Sequence, residues 1–144
     1  MEESIRKAFG LSAPDLRTVP VLNLAFVGDS VYELILRTVF TEENHLRGAA
    51  MTKRMQQFVR AEAQAAIAEH LLPELSEEES GIFRRGKNAH PESIPKHAGA
   101  AVYLKATGFE ALLGYLYLSG RTERVLELVK KGVAYAEECG KQSD

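Results

Sequence analysis

The sequence predicts an all-α domain, on three observations. Apolar residues recur at the three- and four-residue spacing of a helix through its long segments. Those segments are filled with Ala, Leu, Glu, Gln and Arg, all good helix formers. No stretch alternates apolar and polar residues at the period of two that a half-buried strand needs. There is no internal repeat and no linker-like composition, so the helices are expected to share one core.

Each element has its own signal. In TVPVLNLAFVGDSVYELILRTVF (18–40), Leu24, Val27, Val31, Leu34 and Ile35 follow the helical spacing. Asn23, Ser30, Glu33 and Arg37 form an opposite polar stripe, and Thr18 and Pro20 are start signals. HLRGAAMTKRMQQFVRAEAQAAIAEHL (45–71) is rich in Ala, Gln, Arg and Met, and Gly48 is expected to split it into two helices. SEEES carries a capping box, Ser76 with Glu79, opening a short helix toward Asn88. AHPESIPKHAG (89–99) holds two prolines and reads as a loop. AAVYLKATGFEALLGYLYLSG (100–120) is a long apolar helix stopped by Gly120. RTERVLELVKKGVAYAEECG (121–140) is an amphipathic closing helix.

Composition bounds the function. A chain of 144 residues is long enough for one domain with a real core. At 45% hydrophobic and 26% charged, it has the make-up of a soluble globular protein. A single cysteine, Cys139, excludes an intramolecular disulfide and fits a reducing cytoplasm. No apolar run reaches the ~20 residues of a membrane span, so no membrane is expected as partner. MEESIRKAFG begins polar and acidic, unlike a signal peptide. The net charge is −2, but it is unevenly spread. From Arg84 to Lys105 five basic residues face one acid, Glu92, giving +4 and leaving −6 elsewhere. A basic segment on an acidic chain points to a polyanion held at one place; the plain alternative is a solvated loop.

The Gly28-Asp29-Ser30 tripeptide, following an apolar run, has the form in which a GDSL-type esterase presents its serine. That chemistry needs parallel strands and a histidine with an acid close by. Asp occurs only at 15, 29 and 144. The residues three before His45, His70, His90 and His97 are Glu42, Ile67, Lys87 and Ile94. Ser30 therefore lacks the partners that would activate it. Asp29 is the more informative residue. It is the only charge between Thr18 and Tyr32, and its helical neighbours include Leu22, Ala25, Phe26 and Leu36. A carboxylate there is costly unless a cation receives it; an N-cap or an arginine ion pair is the bland reading. Glu110 repeats the pattern as the only charge from Ala106 to Gly120. Two isolated carboxylates suggest one shared cation, and hard Mg²⁺ favours carboxylate oxygen and water. Such an ion activates water and neutralises phosphate. With a basic segment beside it, the chemistry indicated is phosphodiester hydrolysis.

FVGDSVYE (26–33) together with GFEALLGYLYL (108–118) resembles the ribonuclease III catalytic domain, whose signatures run close to E-F-L-G-D-S and D-x-F-E-A-L-L-G. RRGKNAH (84–90) followed by IPK (94–96) is similar to the R-G-x-N-A-K loop of the family's short form, Mini-ribonuclease III. The resemblance covers about residues 18 to 135, with the three motifs in the short form's order. It implies a ribonuclease III endonuclease domain-like helical bundle, a single catalytic domain over 1–144 with no double-stranded RNA-binding domain. It implies a Mg²⁺-dependent homodimer that cleaves double-stranded RNA to 5′-phosphate and 3′-hydroxyl ends. For the short form it implies maturation of the ends of 23S ribosomal RNA precursor; an accessory ribosomal protein stays open. Asp29 and Glu110 fall on the catalytic, metal-holding positions. Full-length enzymes carry two further acids, where this chain has Ala25 and Thr107; the short form shares both losses.

With no separate RNA-binding domain expected, the basic segment has more to do. A-form RNA is recognised through phosphates and 2′-hydroxyls. Arg84, Arg85, Lys87 and Lys96 are candidates for phosphate, and Asn88 and His97 for sugar. Two readings stand: an endoribonuclease, or a catalytically silent RNA-binding or ribosome-assembly module of the same fold. Retention of both Asp29 and Glu110 favours the first, since a pure binder has no use for anions facing phosphate.

Overall fold

The computed structural model describes residues 1–43, 45–89 and 99–142. Their regular elements are all helical: α1 Glu2–Ala8, α2 Val21–Glu43, α3 Ala49–Val59, α4 Ala61–Leu71, a 3₁₀ turn Leu72–Glu74, α5 Glu77–Lys87, α6 Ala100–Leu118 and α7 Thr122–Gln142. Among these residues no helix is long and apolar enough to cross a membrane.

The all-round apolar character of α6 is explained by its place: α2, α4, α5 and α7 all pack against it. Phe109, Leu112, Leu113 and Leu116 meet Tyr32, Leu36 and Phe40 of α2, Phe58 of α3, Ile67 and Leu71 of α4, Phe83 of α5 and Leu128 of α7 in one cluster. The Tyr32 ring stands edge-on to Phe109, with centroids 5.5 Å apart. Its hydroxyl donates to the Phe58 carbonyl at 2.8 Å, so a buried polar tip is satisfied.

Several local signals act as their chemistry demands. Ser76 Oγ accepts from the Glu79 N–H at 3.1 Å, and the Glu79 carboxylate accepts from the Ser76 N–H at 2.9 Å. Arg124 of α7 grips the same carboxylate at 2.8 Å, tying the capping box to the closing helix. The Pro20 carbonyl accepts the first N–H groups of α2, from Asn23 and Leu24. Gly120 takes φ +77°, the left-handed conformation that ends α6.

Several features differ from the sequence expectation. Gly48, at φ 56°, lies before α3 rather than dividing it. The 45–71 segment breaks at Arg60, whose ψ of 148° is extended; Gln64 Nε2 then caps the freed Val59 carbonyl at 3.0 Å. No propensity marks Arg60, because the break serves the packing of α3 and α4. The α1 helix has no sequence signal, since its seven residues are too few to show a period. Arg6 holds it by donating to the Leu118 carbonyl at 2.7 Å. Finally, the buried stripe of α2 is Leu24, Ala25, Gly28, Tyr32, Leu36 and Phe40, rotated from the expected one. Leu34 is exposed, and Phe26 is 80% exposed. A helix apolar around most of its circumference has no unique buried face, so contact geometry chooses it. The 89–99 loop expectation falls mostly on 90–98, outside the described residues.

That choice is made by glycine. A Cβ on Gly28 would lie 1.7 Å from the Glu110 carbonyl oxygen, and one on Gly114 would lie 1.9 Å from that of Leu24. The α2 and α6 backbones therefore touch, closer than helices with side chains at the crossing can approach. The pairing of 28 with 110 and 24 with 114 makes the two helices antiparallel.

Candidate active site

The same glycine contact assembles the carboxylates. Gly28 rests on the Glu110 carbonyl, so Asp29, the next residue, is brought beside the Glu110 side chain. Asp29 is exposed and Glu110 half-buried. This differs from the expectation that apolar helical neighbours would bury Asp29: Phe26 on its flank is itself exposed. Burial pushes the Glu110 carboxyl up to about 9, and the nearby charges of Asp29 and Glu33 add to it. Burial, with the Glu110 charge, also raises the Tyr32 phenol above its usual range, so Tyr32 stays a hydrogen-bond donor.

Two carboxyl groups held in hydrogen-bond contact, one of them half-buried, are a donor set suited to a hard divalent cation. No cluster of three or more His, Cys, Asp or Glu with metal-holding geometry occurs among the described residues. Asp29 and Glu110 are the pair that could hold such an ion, with water filling the rest of its shell. The two positions where full-length enzymes carry further acids are otherwise engaged. Ala25 is packed with Leu24, Ile82 and Ala111. Thr107 is buried, and its hydroxyl donates to the Tyr103 carbonyl at 3.0 Å.

A second glycine crossing positions the basic residues. A Cβ on Gly86 would lie 2.8 Å from the Gly108 Cα, so the end of α5 sits directly on α6, half a turn from Glu110. Arg84, Arg85, Lys87 and Asn88 are found there. They do not form a single patch. Arg84, Arg85 and Asn88 line a shallow hollow with Val21 at the start of α2. Lys87 lies on the α4 side, where its charge reaches Glu69. Lys105, counted in the basic segment, is paired with that same Glu69; the sequence offered only Glu92 as an acid, and the fold brings another from α4. Lys96 and His97 lie outside the described residues.

Ser30 points elsewhere. It lines an apolar groove between α1 and α2, with Met1, Ile5, Leu11, Phe26 and Leu34. Of the histidines, His70 is stacked on Tyr135, with ring centroids 4.0 Å apart. The groove and the carboxylates therefore occupy different faces of α2. Glu33, one turn after Asp29 on α2 and given no role by the sequence reading, lies where its charge is felt at Glu110.

The chain is similar to several known proteins. Residues 22–121 match the Ribonuclease III domain family. The Mini-ribonuclease 3 of Symbiobacterium thermophilum is 42% identical over 120 residues, 83% of this chain and 92% of that one. That of Thermoanaerobacter sp. is 42% identical over 117 residues, 81% of this chain and 82% of the other. A crystal structure of a Fusobacterium nucleatum protein superposes with a TM-score of 0.76 at 28% identity, over 83% of this chain and 96% of that one. With the matched stretch spanning both carboxylates and both glycine crossings, the chain belongs to the ribonuclease III family, in its short Mini-ribonuclease 3 branch.

Proposed function

We propose that the chain cuts double-stranded RNA with the help of Mg²⁺ held by Asp29 and Glu110, leaving 5′-phosphate ends. Membership of the ribonuclease III family makes it an endoribonuclease. The observation that carries the reading is the α2–α6 glycine contact, which sets an exposed and a half-buried carboxylate side by side. When bound, Mg²⁺ supplies positive charge for the scissile phosphate and lowers the pKa of water. The chain's part is to hold the ion rigidly, since both ligands stand on helices whose backbones are in contact. Glu110 would hold the ion through its carboxylate, the form that burial otherwise disfavours. Arg84 and Arg85 hold phosphates of the duplex, and Asn88 bonds a sugar hydroxyl; Lys87 contributes charge from the α4 side.

The duplex has two antiparallel strands related by a local two-fold axis, which a C2 homodimer with one centre per strand would match. The exposed Phe26 and Leu34, continuous with Ile5 of α1 and Leu11 just beyond it, are an apolar surface suited to that contact. The biological substrate in this reading is the paired end region of 23S ribosomal RNA precursor, met in the cytoplasm. The test is cleavage of a plain RNA duplex by the purified protein, with Mg²⁺ and with EDTA. Cleavage that EDTA abolishes supports the reading. Tight duplex binding with no cleavage in Mg²⁺ overturns it in favour of a silent RNA-binding module.

A further inference from the structure

The carboxylate pair is sparse for a divalent cation, and the two sides of Asp29 along α2 are unequal. Residues 25, 29 and 33 lie in one row, a turn apart. At 25 the row runs into the α5–α6 packing, where Ala25 is buried with Ile82 and Ala111 and supplies no carboxylate. At 33 the row emerges: Glu33 is only part covered, with a side chain 36% exposed. Because α2 and α6 are antiparallel, Glu33 lies toward the turn of α6 that precedes Glu110. Thr107 in that turn has its hydroxyl proton committed to the Tyr103 carbonyl, and competes for nothing. Among the described residues, Glu33 is paired with Arg37, at 3.3 Å on an exposed surface. A pair of that kind is weak and easily exchanged.

We infer that Glu33 is the third carboxylate of the cation site, held by Arg37 in the free protein and turned to the ion, directly or through one of its waters, when it binds. This inference rests on the proposed cation site at Asp29 and Glu110. The role is a binding one. The charge of Glu33 already bears on Glu110, and a third anion would offset the double charge of the ion. The opposing idea is that Glu33 only supports α2 through its ion pair with Arg37. The two are separable, since removing Arg37 breaks the pair yet frees Glu33 for the cation.

The experiment measures Mn²⁺ binding to the RNA-free protein by electron paramagnetic resonance and calorimetry, for wild type, Glu33→Gln, Arg37→Ala and Asp29→Asn. Unchanged helicity and thermal midpoint of each variant are the folding control. The expected result is roughly tenfold weaker Mn²⁺ binding in Glu33→Gln, the scale of losing one supporting group of a metal site. Arg37→Ala should bind Mn²⁺ as well as wild type or more tightly, and Asp29→Asn should lose binding. In duplex cleavage, Glu33→Gln should need about tenfold more Mg²⁺ for its half-maximal rate. Equal Mn²⁺ affinity in Glu33→Gln and wild type, with binding lost in Asp29→Asn, overturns the role of Glu33 and leaves the cation site standing. Equal weakening in Glu33→Gln and Arg37→Ala also overturns it, in favour of the ion pair. Unchanged binding in Asp29→Asn overturns the cation site itself.

Discussion

Asp29 and Glu110 differ in what surrounds them, and that difference is testable residue by residue. Asp29→Asn and Glu110→Gln should each reduce Mg²⁺-dependent cleavage by about 10³-fold or more, since several kcal/mol of charge stabilisation disappear. Both variants should remain folded, as circular dichroism would record; full activity in either would remove it from the site. Ser30→Ala should be mild, because Ser30 faces the α1–α2 groove. Glu110 also links stability to pH. Its carboxyl is raised from 4.5 to about 9, so the folded chain holds this proton more tightly than the unfolded chain does. The associated stability is complete below about pH 4.5 and is lost as pH rises toward 9. In EDTA, wild type should therefore lose stability from about pH 5 to about pH 9 relative to Glu110→Gln. At the upper end the variant should be the more stable by on the order of 1–3 kcal/mol, the scale of an uncompensated half-buried charge. Denaturant melts at the two pH values check this, and parallel curves would contradict it.

At the scale of elements, the site depends on two helix crossings that only glycine permits. Gly28→Ala places a methyl where the Glu110 carbonyl oxygen now sits, and backbone on both sides must yield. The expected loss is about 2–4 kcal/mol, the overpacking range and somewhat beyond. Cleavage should fall further than stability explains, because the shift separates the carboxylates. Gly81→Ala is the control, as a Cβ there meets nothing within 4 Å; replacing this glycine within α5 should raise stability slightly. The basic end of α5 is the second element-scale test. In Ca²⁺, replacing Arg84 and Arg85 by Ala should reduce the slope of log duplex affinity against log salt, by roughly one unit for every phosphate no longer neutralised. Lys87→Ala should change it less, because its charge is shared with Glu69. Turnover of bound RNA should change little in either case. Equal slopes throughout would move the RNA to another face.

At the scale of the whole molecule, α6 is the shared axis and α2 is its divided partner. One face of α2 carries Tyr32, Leu36 and Phe40 into the common core, while Phe26 and Leu34 remain outside it. A second copy covering that outer face would explain both. Phe26→Glu with Leu34→Glu should convert a dimer into a monomer by light scattering at micromolar concentration. Cleavage of both strands of a duplex in one encounter should disappear with it. A wild-type protein that is monomeric and fully active would contradict the dimer.

The sequence by itself determined the helical class, the capping box at Ser76 and Glu79, the stop at Gly120 and the two carboxylates that the proposed site rests on. All of these are local: a spacing, a cap, a glycine turn, or a charge alone in an apolar run. Asp29 and Glu110 stand out because isolated charge on an apolar helix is conspicuous without any knowledge of where the helix packs. What needed tertiary structure was every property of relation. The orientation of α2 was ambiguous in a helix apolar on most sides, and contact at Gly28 and Gly114 resolved it. That contact made Asp29 the exposed acid and Glu110 the half-buried one. The break at Arg60, the pairing of Lys105 with Glu69 and the docking of α1 on the end of α6 likewise arise from distant partners. A periodicity reports which residues are apolar; which of them are covered is decided by the helix that arrives to cover them.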